Sequence, residues 1–317
     1  MTQLSIVLAV NDATEKDLVI PLSSINNQIG IDLNQVEVLL IDNGACKLKH
    51  PEQLRLLSRL HLRYLHLEQI TAWEAALQLG IDVATGVYVM FMGGDSQLNE
   101  ASILQTYDQA AHQKPAPDVI SGLTLTETIS ADLQTSYQFG RNALTICDRW
   151  FRREFLQQYH IKLRADLRPY AEEYVSRLVD QLADQDVPLE AVGLVKFATQ
   201  LDPTVLGQPA AKVNAPWLKM MGALFDHLRL IDQAAYQRVF AQTIVRLYTQ
   251  LEQVDPTEKP ILLALIATLV GQHAAAWPAV IATVKQAKAT DQAPAAPWNA
   301  ASAAFDSYLT TITPQEG

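Results

Sequence analysis

The sequence has little cysteine, no excess of basic residues and no apolar run long enough for a membrane. Its two cysteines, Cys46 and Cys147, form no disulfide framework and share no metal-ligand spacing with each other or with a histidine cluster. This fits a reducing, cytoplasmic setting. Lysine and arginine total 24 against 34 aspartates and glutamates, for a formal net charge of −10. Nucleic-acid binding draws on basic surface to displace counterions, so no nucleic-acid partner is expected. The longest apolar run, residues 261–270, stops at Gly271-Gln272-His273. It falls short of the ~20 residues of a spanning helix. A buried helix and no transmembrane segment are expected there, with peripheral membrane contact left open. Residues 5–10 are apolar but are cut short by Asn11-Asp12 with no basic stretch before them, so no signal peptide is expected. Two phosphate-binding motifs are missing as well. Ala9-Val10-Asn11-Asp12-Ala13-Thr14 stands where a dinucleotide-binding fold would need Gly-x-Gly-x-x-Gly, and there is no Gly-Lys-Ser/Thr loop.

What is present is a globular composition, 49% apolar and 18% charged, over 317 residues, enough for one large or two ordinary domains. Residues 84–98 organise the first half. Val87 to Met92 is apolar, β-branched or aromatic throughout, opened by Thr85-Gly86 and closed by Gly93-Gly94-Asp95, which predicts a strand buried on both faces. In open α/β sheets ligands bind beyond the carboxyl ends of the strands, so Asp95 stands where a metal or a substrate hydroxyl would be held. Further strands are predicted at 4–10, 36–41, 62–67 and 118–121, and helices at 15–27 (with Pro21 delaying or kinking it), 53–60 and 72–83. Alternating strands and helices imply a parallel sheet covered on both sides. From 142 to 183 the pattern reads as helical. After Pro203 only helices are expected, at 215–230, 232–254, from Asp255-Pro256 onward, from Trp277, and at 303–309 beyond a linker-like 293–301. The expected domains are 1–200 and an all-helical 201–317.

Three segments resemble the family 2 glycosyltransferases of the GT-A fold. Ser5-Ile6-Val7-Leu8-Ala9-Val10-Asn11-Asp12 stands where the family has a strand ending in Pro-Val-Tyr-Asn. Glu37-Val38-Leu39-Leu40-Ile41-Asp42-Asn43-Gly44 stands where it has a strand ending in Asp-Asp-Gly-Ser. The run from Gly80 to Asp95 is similar to Gly-Ile-x-x-Ala-x-Gly-x-Tyr-Ile-x-Phe-Leu-Asp-x-Asp. The chain departs from the pattern in places. Gly93-Gly94-Asp95 lacks the first aspartate of the Asp-x-Asp metal motif, the tyrosine after the first strand is absent, and Leu77 replaces an arginine.

The resemblance implies a GT-A-type nucleotide-sugar-binding domain followed by an all-helical module. It implies transfer of a sugar from a nucleotide-diphosphate sugar to a glycan, lipid-linked or polymer acceptor, with a divalent cation, manganese or magnesium, as cofactor. By the same resemblance Ala9, Asn11, Asp12, Asp42, Gly94 and Asp95 would bind the nucleotide sugar and Asp95 the metal. Glu173, in Ala171-Glu172-Glu173, would be the base on the acceptor. The missing motif residues leave open an alternative, a catalytically inactive domain that partners an active transferase, with the helical tail mediating homo- or hetero-oligomers. Arg141, Arg149, Arg152, Arg153, Lys162, Arg164 and Arg168 form a net positive stretch. It reads either as a solvated helix face or as a metal-free counter-charge to a diphosphate. The seven histidines read as structural or surface residues.

Overall fold

The computed structural model describes residues 2–44, 48–50, 54, 57, 59–130, 132–141, 144–198, 213–251, 253–290 and 302–314. Cys46, most of the helix expected at 53–60 and the linker at 293–301 lie outside them. The chain divides into two compact units, Met1–Ala210 and Ala211–Gly317. The boundary expected near 200 falls in 199–212, also outside the described residues.

The first unit is built on strands β1 (Leu4–Val10), β2 (Val36–Asp42), β3 (His61–His66) and β4 (Tyr88–Met92), linked by helices α1 (Val19–Asn26) and α2 (Trp73–Val83). Every residue of β1, β2 and β4 is buried, as their predominantly apolar sequences require. All three pairings among these four strands are parallel, in the order β3-β2-β1-β4. Leu4, Ile6, Leu8 and Val10 face α1, where Leu18, Leu22 and Ile25 are fully buried. The alternate residues Val7 and Ala9 point to the other side of the sheet. Helix α1 starts at Val19 rather than near Glu15, which puts Pro21 in its first turn, where no intrahelical N–H is lost.

The other half of the sheet is mixed rather than parallel. It contains β5 (Ser96–Leu98), β6 (Val119–Ile129), β7 (Thr135–Gly140), β8 (Arg149–Arg152) and β9 (Asp186–Ala198), with helices α3 (Ser102–His112), α4 (Arg153–Gln158) and α5 (Ala171–Leu182). The order continues β4-β8-β6-β9-β5, with β7 paired to β6. Strand β8 overturns the helical reading of 142–183. It is four residues, too short for a two-residue period to show, and arginines bound it. Strand β9 is likewise unexpected, since Pro188 and Gly193 punctuate it and its pairing to β6 shifts register between Ser121 and Thr124.

A buried carboxylate ties the amino ends of these strands together. Glu37, the second residue of β2, is 1% exposed. Its Oε1 accepts from Ser5 Oγ of β1 at 2.5 Å, from Thr85 N at 2.6 Å and from Thr85 Oγ1 at 2.8 Å, and its Oε2 pairs with Arg63 of β3 at 3.0 Å. Gly86 N then donates to Ser5 Oγ. Burial alone would raise the Glu37 pKa, but the hydrogen bonds from Ser5 and Thr85 outweigh it and hold the group below its ordinary 4.5.

The second unit is helical throughout its described residues: α6 (Ala215–Ile231), α7 (Gln233–Leu251), α8 (Lys259–Gln272), α9 (Trp277–Thr290) and α10 (Ser302–Ile312). Asn214 caps α6 by accepting from Trp217 N, and Asp232 accepts from Ala234 N and Ala235 N. Asp255 binds Thr257 in a turn before α8, so the helix begins three residues later than Asp255-Pro256 suggested. Phe225, Tyr236, Phe240, His273 and Trp277 form an aromatic core, and Tyr236 Oη lies 3.1 Å from His273 Nδ1. Among the described residues no single helix is long and apolar enough to cross a membrane; α8 and α9 pass that test only as a pair bent by 78°.

Glu37→Gln should lower stability by roughly 1–3 kcal/mol, because it leaves buried donors without an anionic acceptor. The sign follows from the lowered pKa. The stabilisation is present above pH 4.5 and is lost as pH falls through the folded value, so the acid limb of a stability–pH curve should flatten in the variant. Identical limbs in urea titrations of the two proteins would exclude this role.

Candidate active site

The chain leaves β1 toward β2 on one side and returns to β4 on the other, so the sheet has a topological switch point between β1 and β4. A crevice opens at the carboxyl ends there. Val10 pairs with Asp42, Asp42 with His66 and Leu8 with Met92, so four strand ends lie along one edge. Asn11, Asp12, Asp42, Gly94 and Asp95 meet at this edge. Ala9 does not reach it, being fully buried within β1.

Asn43 binds the edge into a unit. Its Nδ2 donates to Asn11 Oδ1 at 2.9 Å and to the Thr71 carbonyl at 3.0 Å, and its Oδ1 accepts from Thr71 N and Thr71 Oγ1. Asp12 is exposed and has φ +48°, a conformation that aspartate tolerates better than most side chains. Its backbone passes so close to Gly44 that a Cβ there would lie 2.8 Å from Asp12 N. Asp42 is fully buried. Its Oδ2 accepts from Tyr64 Oη at 2.6 Å and lies 3.2 Å from His66 Nδ1, and its Oδ1 accepts from Gly44 N. Burial, then the hydrogen bond to Asp42, pushes Tyr64 up to about 12, so it stays a donor. The buried Asp42 carboxylate is thus engaged by Tyr64, His66 and the Gly44 amide.

Asp95 is the second exposed acid of the edge. It sits on the turn between β4 and β5. A Cβ on Gly93 would collide with its Oδ1, and Ser96 Oγ donates to that same oxygen at 3.1 Å. The Asp95 carbonyl accepts from Phe197 N at 2.8 Å, and Ser96 pairs with Lys196 in the β5–β9 ladder.

Glu173 and Glu172 have opposite surroundings. Glu173, the expected base, is buried and pairs with Arg177 one turn along α5 at 2.7 and 2.8 Å. That ion pair gives its carboxylate a structural task. Glu172 Oε2 instead accepts from Thr145 Oγ1 at 2.8 Å, beside Ile146 and Cys147, and Cys147 bridges to Phe91 of β4. Burial first, then the Glu172 charge, raises the Cys147 thiol to about 12; Lys196 lowers it and Asp95 raises it further. Glu172, Lys196 and Asp95 are thus the charges that act on the Cys147 thiol, beside Phe91 of β4.

Most arginines of the positive stretch have carboxylate or carbonyl partners, some buried and some at the surface. Arg149 pairs with Asp180 and Asp186, Arg152 with Asp118, Arg164 with Asp166, Arg168 with Glu74, and Arg153 donates to the Gly86 carbonyl. Arg141 and Arg149 line a cavity of roughly 280 Å³ with Gly122, Thr124 and Asp148. Asp148 is buried at φ +59°, and Gly122 lies so close that a Cβ there would be 2.5 Å from Asp148 Oδ1. Burial pushes Asp148 up to about 8, against the opposing pull of the Thr124 hydrogen bond and the Arg141 charge.

A divalent cation takes six or more oxygen ligands in a typical hard-ligand site. At this edge the chain offers only the exposed carboxylates of Asp12 and Asp95, and no group of three His, Cys, Asp or Glu residues suited to a metal occurs among the described residues. The donor set does not fit a cation site built by the protein alone.

Residues 5–157 match the profile of glycosyl transferase family 2. Over that segment the chain is similar to the family 2 glycosyltransferases. No curated protein sequence matches the chain. Among solved structures, S. aureus TarS 1–349 in complex with UDP-GlcNAc is 14% identical with a TM-score of 0.65, over 98% of this chain and 90% of that one. The complex with UDP gives 14% and 0.64 over the same shares. A longer S. aureus TarS structure gives 15% and 0.63, and this chain spans 55% of it. The fold is thus GT-A-like with a helical C-terminal region, and the structural likeness takes in the helices that lie outside the family 2 match. Asn43, Thr71, Glu172 and Lys196 escaped the sequence reading. Glu172 was named only as the neighbour of Glu173, and no local signal separates the two.

Asp148→Asn tests the buried acid. A raised folded pKa means that stability falls as pH rises from the ordinary 3.8 toward about 8. The asparagine variant should therefore melt roughly 2–5 °C above wild type at pH 8.5, with the gap closing by pH 5. A gap independent of pH would show that Asp148 is ionised throughout.

Proposed function

We propose that the chain transfers a sugar from a nucleotide-diphosphate sugar to an acceptor hydroxyl at the β1–β4 edge. The observation that carries this reading is the meeting of Asn11, Asp12, Gly94 and Asp95 at the switch point, within the segment that matches family 2. Gly94 leaves room beside Val10, where an added Cβ would be 3.4 Å from Val10 Cγ1. Asn11 and Asp12 hold the nucleoside, with Asp42 fixing the strand end beneath them through Tyr64 and His66. Asp95 orients the donor sugar or its diphosphate. No step is assigned to a cation. TarS has been crystallised with UDP and UDP-GlcNAc, so uridine nucleotides are the first donors to test.

The base in this reading is Glu172, held by Thr145, and not Glu173. It takes the proton of the acceptor hydroxyl as that oxygen bonds to the anomeric carbon. The bond from that carbon to the diphosphate breaks, and its electron pair leaves with the nucleoside diphosphate. Attack from the face opposite the leaving group inverts the anomeric centre. One observation favours a second reading, a non-catalytic binding partner: a lone carboxylate stands where the family has two.

Thermal unfolding with UDP, UDP-GlcNAc and GDP-mannose, with and without manganese, separates them. A donor at about 100 times its dissociation constant contributes about 2.7 kcal/mol, a melting shift of roughly 5–10 °C. Asp95→Asn should shrink that shift. Glu172→Gln should keep it while transfer falls by about 10²–10⁴-fold. Glu173→Gln should instead lower stability, by roughly 1–3 kcal/mol. Full transfer by Glu172→Gln would remove Glu172 as base, and a flat response to every donor would leave the binding-partner reading.

A further inference from the structure

The β6–β7 hairpin and β9 expose a face that nothing in the transfer step uses. Opposed residues in a ladder share a face, and two rows follow from the register. Phe139, Leu125, Val195 and Gln97 form one; Tyr137, Glu127 and Phe197 form the other. Tyr137 is 60% exposed, Phe139 73% and Ile129, further along the same side of β6, 45%. On the opposite side Thr126 and Thr128 are buried, so this is the open side of a one-sided sheet. Isolated exposed apolar residues need no explanation, but rows of them mark a binding surface.

The second row runs into the candidate active site. Phe197 N donates to the Asp95 carbonyl, and Tyr137 lies two strands away, roughly 10 Å at the usual interstrand spacing. The chemistry of the rows limits the occupant. A charge at the centre of the second row, Glu127, is what the core of a protein–protein interface avoids. Both rows lack lysine and arginine, the residues that an anionic membrane surface attracts. Aromatic faces interleaved with a carboxylate and the Gln97 amide suit a ligand with apolar C–H faces and a rim of hydroxyls, which is the pattern of a sugar ring.

We propose that this face binds an extended, uncharged carbohydrate chain and delivers its end hydroxyl to Asp95 and Glu172. It names the acceptor class and rests on the transfer reading above.

The test uses the full chain and the double variant Tyr137→Ala/Phe139→Ala, with Glu127→Gln as a second variant. The probes are chito-, cello- and malto-oligosaccharides of two to six residues, titrated by calorimetry. In the wild type, affinity should rise with length in at least one series. The double variant should lose about tenfold or more on the longest member, as expected for two aromatic contacts, while its melting temperature and its affinity for the disaccharide stay unchanged. Glu127→Gln should show a smaller loss on the same probe. Affinity independent of length in every series, or equal in wild type and both variants, overturns the proposal. So does a concentration-dependent dimer abolished by the double variant, which would assign the face to a second copy, or loss of binding to phosphatidylglycerol vesicles, which would assign it to a membrane. Uridine-nucleotide melting shifts on the same samples separate the two readings. A donor shift with no oligosaccharide effect removes this inference alone; an oligosaccharide effect with no donor shift removes the transfer reading and leaves a carbohydrate-binding face.

Discussion

The register of β1, β2, β3 and β4 depends on the buried Glu37 carboxylate. Ser5 from β1, Arg63 from β3 and Thr85 from the turn into β4 all bond it. A slip of one residue would turn every side chain of a strand to the other face of the sheet, and it would also leave this anion without partners in a dry interior. An unpaired buried charge costs several kcal/mol, so the network selects one alignment. Fixing the amino ends also brings Val10, Asp42 and His66 to one level at the other edge, with Met92 opposite Leu8.

That edge divides its polar groups between holding the protein and facing solvent. Asp42 and Asn43 are buried and fully engaged, by Tyr64 and His66 in one case and by Asn11 and Thr71 in the other. Asp12 and Asp95 are exposed above them. The two glutamates at the start of α5 divide in the same way, with Glu173 in an ion pair and Glu172 on a hydroxyl beside the crevice. Adjacent residues on a helix point about 100° apart, and here that rotation puts one carboxylate in an ion pair along α5 and the other on the Thr145 hydroxyl.

Strands β1, β2 and β4 were legible because a strand buried on both faces is written as a predominantly apolar run, and 4–10, 36–42 and 88–92 are, with Ser5, Glu37 and Asp42 as the polar exceptions. Asp42 and Asp95 were legible because turn residues closing such runs stand at the ligand-binding edge of a parallel sheet. The second half resisted for the opposite reason. Strand β8 is short and flanked by charge, and β9 contains a proline, a glycine and a register shift, all tolerated because β6 pairs along its whole length. The arginines looked like a surface run in sequence; several of their carboxylate partners lie far along the chain, Asp186 for Arg149 and Glu74 for Arg168 among them.

The sequence by itself determined the α/β alternation, the placement of Asp95 on a turn after a buried strand, the helical end of the chain and the resemblance to family 2, because each is written in local pattern. The tertiary structure alone decided which carboxylates are free to act. Whether Asp42, Glu172 or Glu173 can meet a ligand depends on Tyr64, Thr145 and Arg177. Whether Asp148 is charged depends on the desolvation of a cavity walled by Gly122 and Thr124. Burial and partnership are set by residues distant in the chain, and no window of sequence contains them.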